Sequence, residues 1–248
     1  EKVPFTRGQH IADAPDSLDV IIMMTPELAE FEMEDIATVH EKGTKVYYSI
    51  SYDNILKEHT DKVKEGTETG TFSAYLSAEL SRLIALEAPF DGLVAEYRGS
   101  SPIYMSEADK AEAKANQDAF FGVISGWKNA NANKQLVFKG YPANLIGQSV
   151  LSSCEHIILV TDDVRDAAQL GIEALQALIA DGVPSDRFVV TASTVSLDAT
   201  DKTTGFYDTG RALSEAAYWV TGASTGFERV GLAIENMQND YYNATNNY

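Results

Sequence analysis

The chain has 248 residues, of which 44% are hydrophobic, and its 37 acidic and 19 basic residues give a formal net charge of −18. This length and apolar content suffice for one large core, while the acidic excess disfavours nucleic acids and anionic membrane surfaces as partners. The single cysteine, Cys154, excludes an intrachain disulfide and a cysteine-based metal site.

Short β-branched or aromatic runs alternate along the chain with longer segments of helical periodicity. Strands are predicted, in chain order, at 18–24, 44–52, 90–98, 134–142, 155–163, 186–194 and 229–237. Helices are predicted between them at 26–42, 71–87, 106–131, 164–181 and 210–221. This alternation predicts parallel βαβ units with right-handed crossovers, and the near-continuous apolar strands indicate a sheet that is covered on both faces.

Two α/β architectures fit this order, an open doubly wound sheet and a closed (β/α)8 TIM barrel. No GxGxxG or GxxxxGK(S/T) motif follows any strand, which disfavours a nucleotide-binding open sheet and any nucleotide cofactor. We therefore predict a single TIM-barrel domain over residues 1–248 without a cofactor. Its first strand is expected to be short, displaced or missing, either in EKVPF or upstream of Glu1.

The ends of the chain and its apolar runs bear on where the protein resides. No apolar run approaches the roughly 20 residues of a membrane helix, so no transmembrane segment is predicted. The opening stretch EKVPFTRGQH lacks the pattern of a signal peptide, so we expect that an export signal was removed or never existed.

In a (β/α)8 barrel the functional site lies where the strands end. The polar residues that follow the predicted strands are Thr25; Ser49, Ser51, Tyr52 and Asp53; Glu96, Tyr97 and Arg98; Lys139 and Tyr141; Asp162 and Asp163; Ser193 and Thr194; and Glu235, Asn236 and Gln238. Aromatic rings mixed with hydrogen-bonding groups suit a neutral, polyhydroxylated ligand such as a sugar. For any one of these residues alone, an ordinary solvated loop is the simpler interpretation.

Other kinds of chemistry find little support in the sequence. The histidines His10, His40, His59 and His156 show no HxH or HxxxH spacing, so no metal site is predicted. No GxSxG nucleophile elbow occurs.

The segment FDGLVAEYR (90–98) resembles the fourth strand of the family 18 glycoside hydrolases, the chitinases and endo-β-N-acetylglucosaminidases, which carry DGxDxDxE there. The segments APDSLDVIIMM (14–24) and EKGTKVYYSISYD (41–53) resemble the second and third strands of that family. Four later segments fall in the order and spacing of strands five to eight. The resemblance covers nearly the whole chain and implies a barrel whose ligand is a glycan.

The same resemblance shows where the catalytic motif is degenerate. With Asp91 as the first acid of the motif, Val94 and Glu96 take the two inner acid positions and Arg98 takes the terminal glutamate. In the family, that glutamate protonates the glycosidic oxygen and the preceding aspartate orients the acetamido group of the substrate. Arginine cannot serve as this acid near neutral pH, and Glu96 lies two residues, roughly 6–7 Å, short of its place.

A second departure lies in the sixth strand of the family, where QxQxY holds the acetamido-bearing sugar. Here the corresponding residues are Ile158, Val160 and Asp162. An alternative alignment with a two-residue deletion would restore Glu96 as the acid, but it breaks the two-residue period of the strand.

Three functional hypotheses follow. The leading one is a non-catalytic barrel that binds N-acetylglucosamine- or mannose-containing glycans at the strand ends. The second is an active endo-β-N-acetylglucosaminidase-type glycosidase with Glu96 as general acid, and the third is a protein-interaction barrel whose site is filled by an Arg98 ion pair. The predicted ligand contacts are Asp91, Glu96, Tyr97, Arg98, Tyr48, Tyr52, Lys139, Tyr141, Asp162 and Asn236.

Non-catalytic relatives of this family include cell-surface glycan-binding lipoproteins of gut Bacteroidota. The resemblance therefore implies a secreted or surface-anchored protein whose partners are a carbohydrate ligand and other surface glycan-uptake proteins.

Overall fold

The computed structural model describes residues 10–86, 88–208 and 210–239. Its strands are β1 (Val20–Met23), β2 (Lys45–Ser51), β3 (Gly92–Tyr97), β4 (Gln135–Gly140), β5 (His156–Leu159), β6 (Phe188–Ser193), β7 (Phe206–Tyr207), β8 (Gly210–Arg211) and β9 (Arg229–Glu235). Strands β1 to β6 and β9 form one parallel sheet in chain order, while β7 and β8 form a small antiparallel pair that the sequence did not predict. Each of the seven predicted strands coincides with one strand of the parallel sheet.

The helices are α1 (Glu30–Glu41), α2 (Tyr52–Lys64), α3 (Phe72–Ile84), α4 (Glu107–Ala130), α5 (Ala167–Ala177) and α6 (Ala212–Val220). All except α2 were predicted. Among the described residues, no helix combines the length and the apolarity needed to cross a membrane.

No helix was predicted between the second strand and residue 71, but helix α2 begins directly after β2. Ser51 is its N-cap, and the Ser51 hydroxyl accepts a hydrogen bond from the Asn54 backbone N–H at 3.3 Å. Asp53 lies in the first turn, and Lys62 and Lys64 lie in the last. These charges match the helix dipole at both ends, so the local signals for this helix were present in the sequence.

The two faces of the sheet bury different sets of side chains. One face packs against the helices, as with Tyr48, Leu93 and Phe138. The other face forms a cluster made of strand residues alone: Val20, Ile22, Tyr47, Val94, Val137, Ile158, Val189 and Ala233. Because this second cluster draws on all seven strands and needs no helix to bury it, the sheet must curl so that its strands face one another.

The curled sheet and its helices form a TIM-barrel-like α/β fold with one strand missing or displaced, which confirms the predicted fold class. In the described part of the chain, β1 and β9 are the two edges of the sheet. The segment EKVPF, where the first strand was expected, lies outside the described residues.

Candidate functional site

Arg98 directly follows β3 and lies at the mouth of the curled sheet, the end where Glu96, Arg98, Lys139, Tyr141 and Asp162 lie. Hydrogen bonds hold its backbone on two sides. The Arg98 N–H donates to Asp53 Oδ2 at 2.9 Å, and Asn144 Nδ2 donates to the Arg98 carbonyl at 2.8 Å. Asp53 belongs to the first turn of α2, so the helix that the sequence analysis missed is one of the elements that position the site.

The Arg98 side chain joins two carboxylates at this mouth. Its Nε donates to Glu96 Oε1 at 3.4 Å, and its Nη1 donates to Asp162 Oδ2 at 2.6 Å. The Glu96 side chain is 9% exposed, whereas those of Arg98 and Asp162 are 37% and 40% exposed. Glu96 is therefore the buried member of this cluster, while Arg98 and Asp162 are its partly exposed members. The Arg98 Nη2 donates no hydrogen bond to any described residue.

A third ion pair, between Lys139 and Glu235, lies beside the two that Arg98 forms. Lys139 Nζ donates to Glu235 Oε1 at 2.8 Å, and Lys139 is the register neighbour of Glu96. Lys139 lies on β4 and Glu235 on β9, three strands away in the sheet order. On a flat sheet these strands would be about 14 Å apart, so the curl of the sheet brings the two side chains within reach.

The electrostatics of the mouth keep its cation charged and its phenol neutral. Burial alone would lower the pKa of Arg98, but the hydrogen bond and charge of Asp162, together with Glu96, raise it above its usual value. The pKa of Tyr141 is raised first by burial and next by the negative charge of Asp162. The mouth therefore offers guanidinium and phenol donors beside carboxylate acceptors.

Glu96, Arg98, Lys139, Tyr141 and Asp162 thus meet at the ends of β3, β4 and β5. Asn236, at the end of β9, is exposed, and its Nδ2 donates to Ser193 Oγ at 2.9 Å. Its backbone has a φ of 57°, which asparagine tolerates better than most residues.

Three of the predicted tyrosines lie on the helix side of the sheet rather than in the mouth. Tyr48 is 5% exposed and packs against Phe90, with ring centroids 4.7 Å apart. Tyr97 is 2% exposed, and its hydroxyl accepts a hydrogen bond from Gln117 Nε2 at 2.7 Å. Tyr52 is 7% exposed and its ring lies 4.9 Å from that of Tyr97. In this structure, therefore, none of the three rings presents a face to the mouth.

Asp91 lies at the opposite end of β3 from the mouth. Its Oδ2 accepts from the Val46 N–H and lies 2.8 Å from His40 Nε2. The following residue, Gly92, has no room for a side chain, since an added Cβ would lie 2.8 Å from the ring of Tyr47. The first two residues of the family-like motif therefore have a structural role here.

Gly140 is a further residue that positions the site. Its φ is +149°, and an added Cβ would lie 1.8 Å from the carbonyl oxygen of Tyr97. The close approach of β3 and β4 immediately before Arg98 and Tyr141 therefore requires glycine. Asp53 and Glu235 were predicted as polar strand-end residues but not as ligand contacts. The described residues contain no group of three or more His, Cys, Asp and Glu side chains arranged to hold a metal ion.

Comparisons with known proteins place this geometry in context. Residues 1–248 match the family model described as glycoside hydrolase family 18, BT1044-like. A selenomethionine-labelled glutamate-to-glutamine variant of BT1044 has a similar structure, with a TM-score of 0.60 and 15% identity, covering 93% of this chain and 76% of that one. A variant of the GH36 α-galactosidase AgaA from Geobacillus stearothermophilus, in complex with raffinose, gives a TM-score of 0.53 at 10% identity, covering 92% of this chain and 35% of its own. At these identities the two structures show a shared fold, and no curated protein matches the sequence.

Proposed function

The chain belongs to glycoside hydrolase family 18, in its BT1044-like group, and we propose that it is a glycan-binding member that does not hydrolyse its ligand. This proposal rests on the position of Arg98, which lies at the end of β3 and donates hydrogen bonds to Glu96 and Asp162. A guanidinium at this place can donate hydrogen bonds to hydroxyl groups, but it cannot protonate a leaving group near neutral pH.

Glu96 is the remaining carboxylate on this strand that could act as an acid, and its surroundings oppose that role. Its Oε1 accepts a hydrogen bond from Arg98, whereas a general acid must donate a proton to the substrate. Its side chain is also only 9% exposed, so little of the carboxylate is accessible to a glycosidic oxygen.

Ligand binding would use the exposed part of the same cluster. Arg98 Nη2 supplies donors, Asp162 supplies acceptor oxygens and half-buried Tyr141 supplies a ring and a hydroxyl. This combination suits a neutral sugar, because sugars offer hydroxyl groups to charged side chains and C–H faces to aromatic rings. N-acetylglucosamine- or mannose-containing glycans are the ligands that family membership favours.

The proposal is tested by measuring hydrolysis and binding on the same preparations. We expect no turnover of a chitobiose-core N-glycan and saturable binding of that glycan by calorimetry. Binding should be lost in Arg98→Met and kept in Arg187→Met, a matched control whose guanidinium pairs with Asp186. Turnover that Glu96→Gln abolishes would instead establish an active glycosidase.

Absence of binding to any N-acetylglucosamine- or mannose-containing glycan on an array would favour the filled-site alternative. In that case the three ion pairs at the mouth would be structural crosslinks of a protein-interaction barrel.

We further propose that the protein acts at the cell surface or outside the cell, where such glycans are encountered, together with other glycan-uptake proteins. Labelling of intact source cells with a membrane-impermeant amine reagent tests this placement. Protection of the protein until the cells are lysed would contradict it.

A further inference from the structure

A pocket lies beside the mouth, between the ends of β4 and β5 and the helix α5. Its volume is about 190 Å³, and its walls include Tyr141, Ala143, Leu159, Glu173 and Ala177. It is partly open to solvent and adjoins the mouth, because Asn144, which also lines the pocket, donates to the Arg98 carbonyl at 2.8 Å. The pKa of Tyr141 on its wall is raised by burial, by Asp162 of the mouth and by Glu173 of the pocket.

Hydrogen bonds hold the walls of this pocket in place. The turn that carries Ala143 is a 3₁₀ turn with Pro142 at its start, and Asn144 at its end donates to the Arg98 carbonyl at 2.8 Å. On the other side, the Asp166 carboxylate caps α5 by accepting from the Ala168 N–H at 2.8 Å. The pocket is therefore formed before any ligand arrives, and little ordering has to accompany binding.

Glu173 is the acidic residue of the pocket wall. Burial raises the pKa of its carboxyl group, and the charge of Asp163 adds to this shift. Its carboxylate has no hydrogen-bond or ion-pair partner in the described part of the chain. A half-buried carboxylate of this kind gains most from a ligand that brings hydroxyl or amide donors.

Much of the remaining wall is apolar: Leu159 ends β5, Ala143 lies in the turn after β4, and Ala177 lies on α5 one helical turn after Glu173. A ligand that fills the pocket must therefore present a donor edge to Glu173 and an apolar face to these side chains. A sugar ring has both.

The volume of the pocket limits the ligand to one such ring. A volume of 190 Å³ corresponds to about six water molecules at roughly 30 Å³ each. It is smaller than the roughly 300–1,000 Å³ of sites that enclose a drug-sized molecule. An oligosaccharide could therefore place one unit here only if its remaining units lay outside, across the mouth.

We propose that the pocket between β4, β5 and α5 is a second carbohydrate subsite, which takes one sugar unit of a glycan whose neighbouring units occupy the mouth. Tyr141 is the wall that the two subsites share, and Glu173 accepts the hydroxyl or amide hydrogens of the bound unit. This inference rests on the proposed function, because it needs a glycan at the mouth.

Calorimetric titration with two ligands, chitobiose and a released high-mannose N-glycan, separates the two ideas. Glu173→Gln weakens an acceptor of the pocket, and Ala143→Leu fills the pocket from its half-buried outer wall. We expect each change to weaken binding of the long glycan roughly tenfold, the scale of one hydrogen bond to a charged group. Binding of the shorter ligand at the mouth should change less than twofold.

Glu34→Gln, the same chemical change on the exposed face of α1, is the matched control and should leave both affinities unchanged. If the long glycan binds unaltered to both pocket variants, the second subsite is overturned while the proposed function stands. If neither ligand binds to the unsubstituted protein, the proposed function and the subsite both fail. Glu173→Gln preserves side-chain shape, so it keeps the test valid even where Ala143→Leu fails to fold.

Discussion

Replacement of Arg98 by methionine removes the two ion pairs that Arg98 forms at the mouth, and these two pairs rank differently by distance and by burial. The contact with Asp162 is the shorter, at 2.6 Å, and the contact with Glu96 is the longer, at 3.4 Å. The Glu96 side chain, however, is 9% exposed and that of Asp162 is 40% exposed. We expect burial to decide, so that Arg98 couples more strongly to Glu96 than to Asp162.

The magnitudes follow from the surroundings of each carboxylate. An exposed ion pair contributes about 0–1 kcal/mol to stability, and we expect a contribution in this range from the pair of Arg98 with Asp162. A fully buried carboxylate left without its partner costs about 3–5 kcal/mol. Because Arg98 is 37% exposed and Lys139 neighbours Glu96 in the sheet, we expect loss of the Arg98–Glu96 pair to cost about 2 kcal/mol of stability. Arg98→Met should therefore lower the free energy of unfolding by about 2–3 kcal/mol.

Double-mutant cycles measured by urea unfolding test this reasoning. Arg98→Met combined with Glu96→Gln should give a coupling energy of about 1–2 kcal/mol, and combined with Asp162→Asn a coupling below about 1 kcal/mol. The Asp162 coupling should shrink further in 1 M salt, since screening acts mainly on exposed charges. A larger coupling to Asp162 than to Glu96 would refute the argument that burial outweighs distance.

Two further substitutions and one labelling experiment test the structure away from the ion pairs. Gly140→Ala should lower the free energy of unfolding, measured with urea, by more than about 3 kcal/mol, because its Cβ would lie 1.8 Å from the Tyr97 carbonyl oxygen. The control is Gly126→Ala in α4, which has open space around it and should be neutral or stabilising. Tyr97→Phe should cost about 1 kcal/mol through the lost hydrogen bond from Gln117 and leave glycan affinity unchanged; a loss of affinity would place this ring in the site after all. Burial raises the pKa of the Cys154 thiol to about 12, so a thiol reagent at pH 8 should label it only after denaturation, and rapid labelling of the native protein would contradict its burial.

Much of the fold could be predicted because the signals are local. The strands are short apolar runs, and the helix over Glu107–Ala130 has a serine cap at Ser106 and an acidic first turn. Helix α2 was not predicted although its own signals are present in the sequence. The predicted strand extends to Tyr52 and therefore includes Ser51, which is the N-cap of this helix.

The site was harder to predict because the two-residue period of a strand gives alternation but not its phase. Tyr47 and Tyr48 are adjacent and chemically identical, yet Tyr47 belongs to the cluster inside the curl and Tyr48 to the core under the helices. Tyr97 and Arg98 alternate in the same way, so that one packs beneath the helices and the next reaches the mouth.

Residue type and short-range periodicity are enough to give the order of strands and helices, the acidic surface and the arginine at the end of the third strand of the sheet. Which strand-end side chains meet depends instead on the tertiary structure. The ion pair of Lys139 with Glu235 joins residues 96 positions apart, and that of Arg98 with Asp162 joins residues 64 positions apart. Both depend on how far the sheet curls, a property of all seven strands together that no single segment encodes.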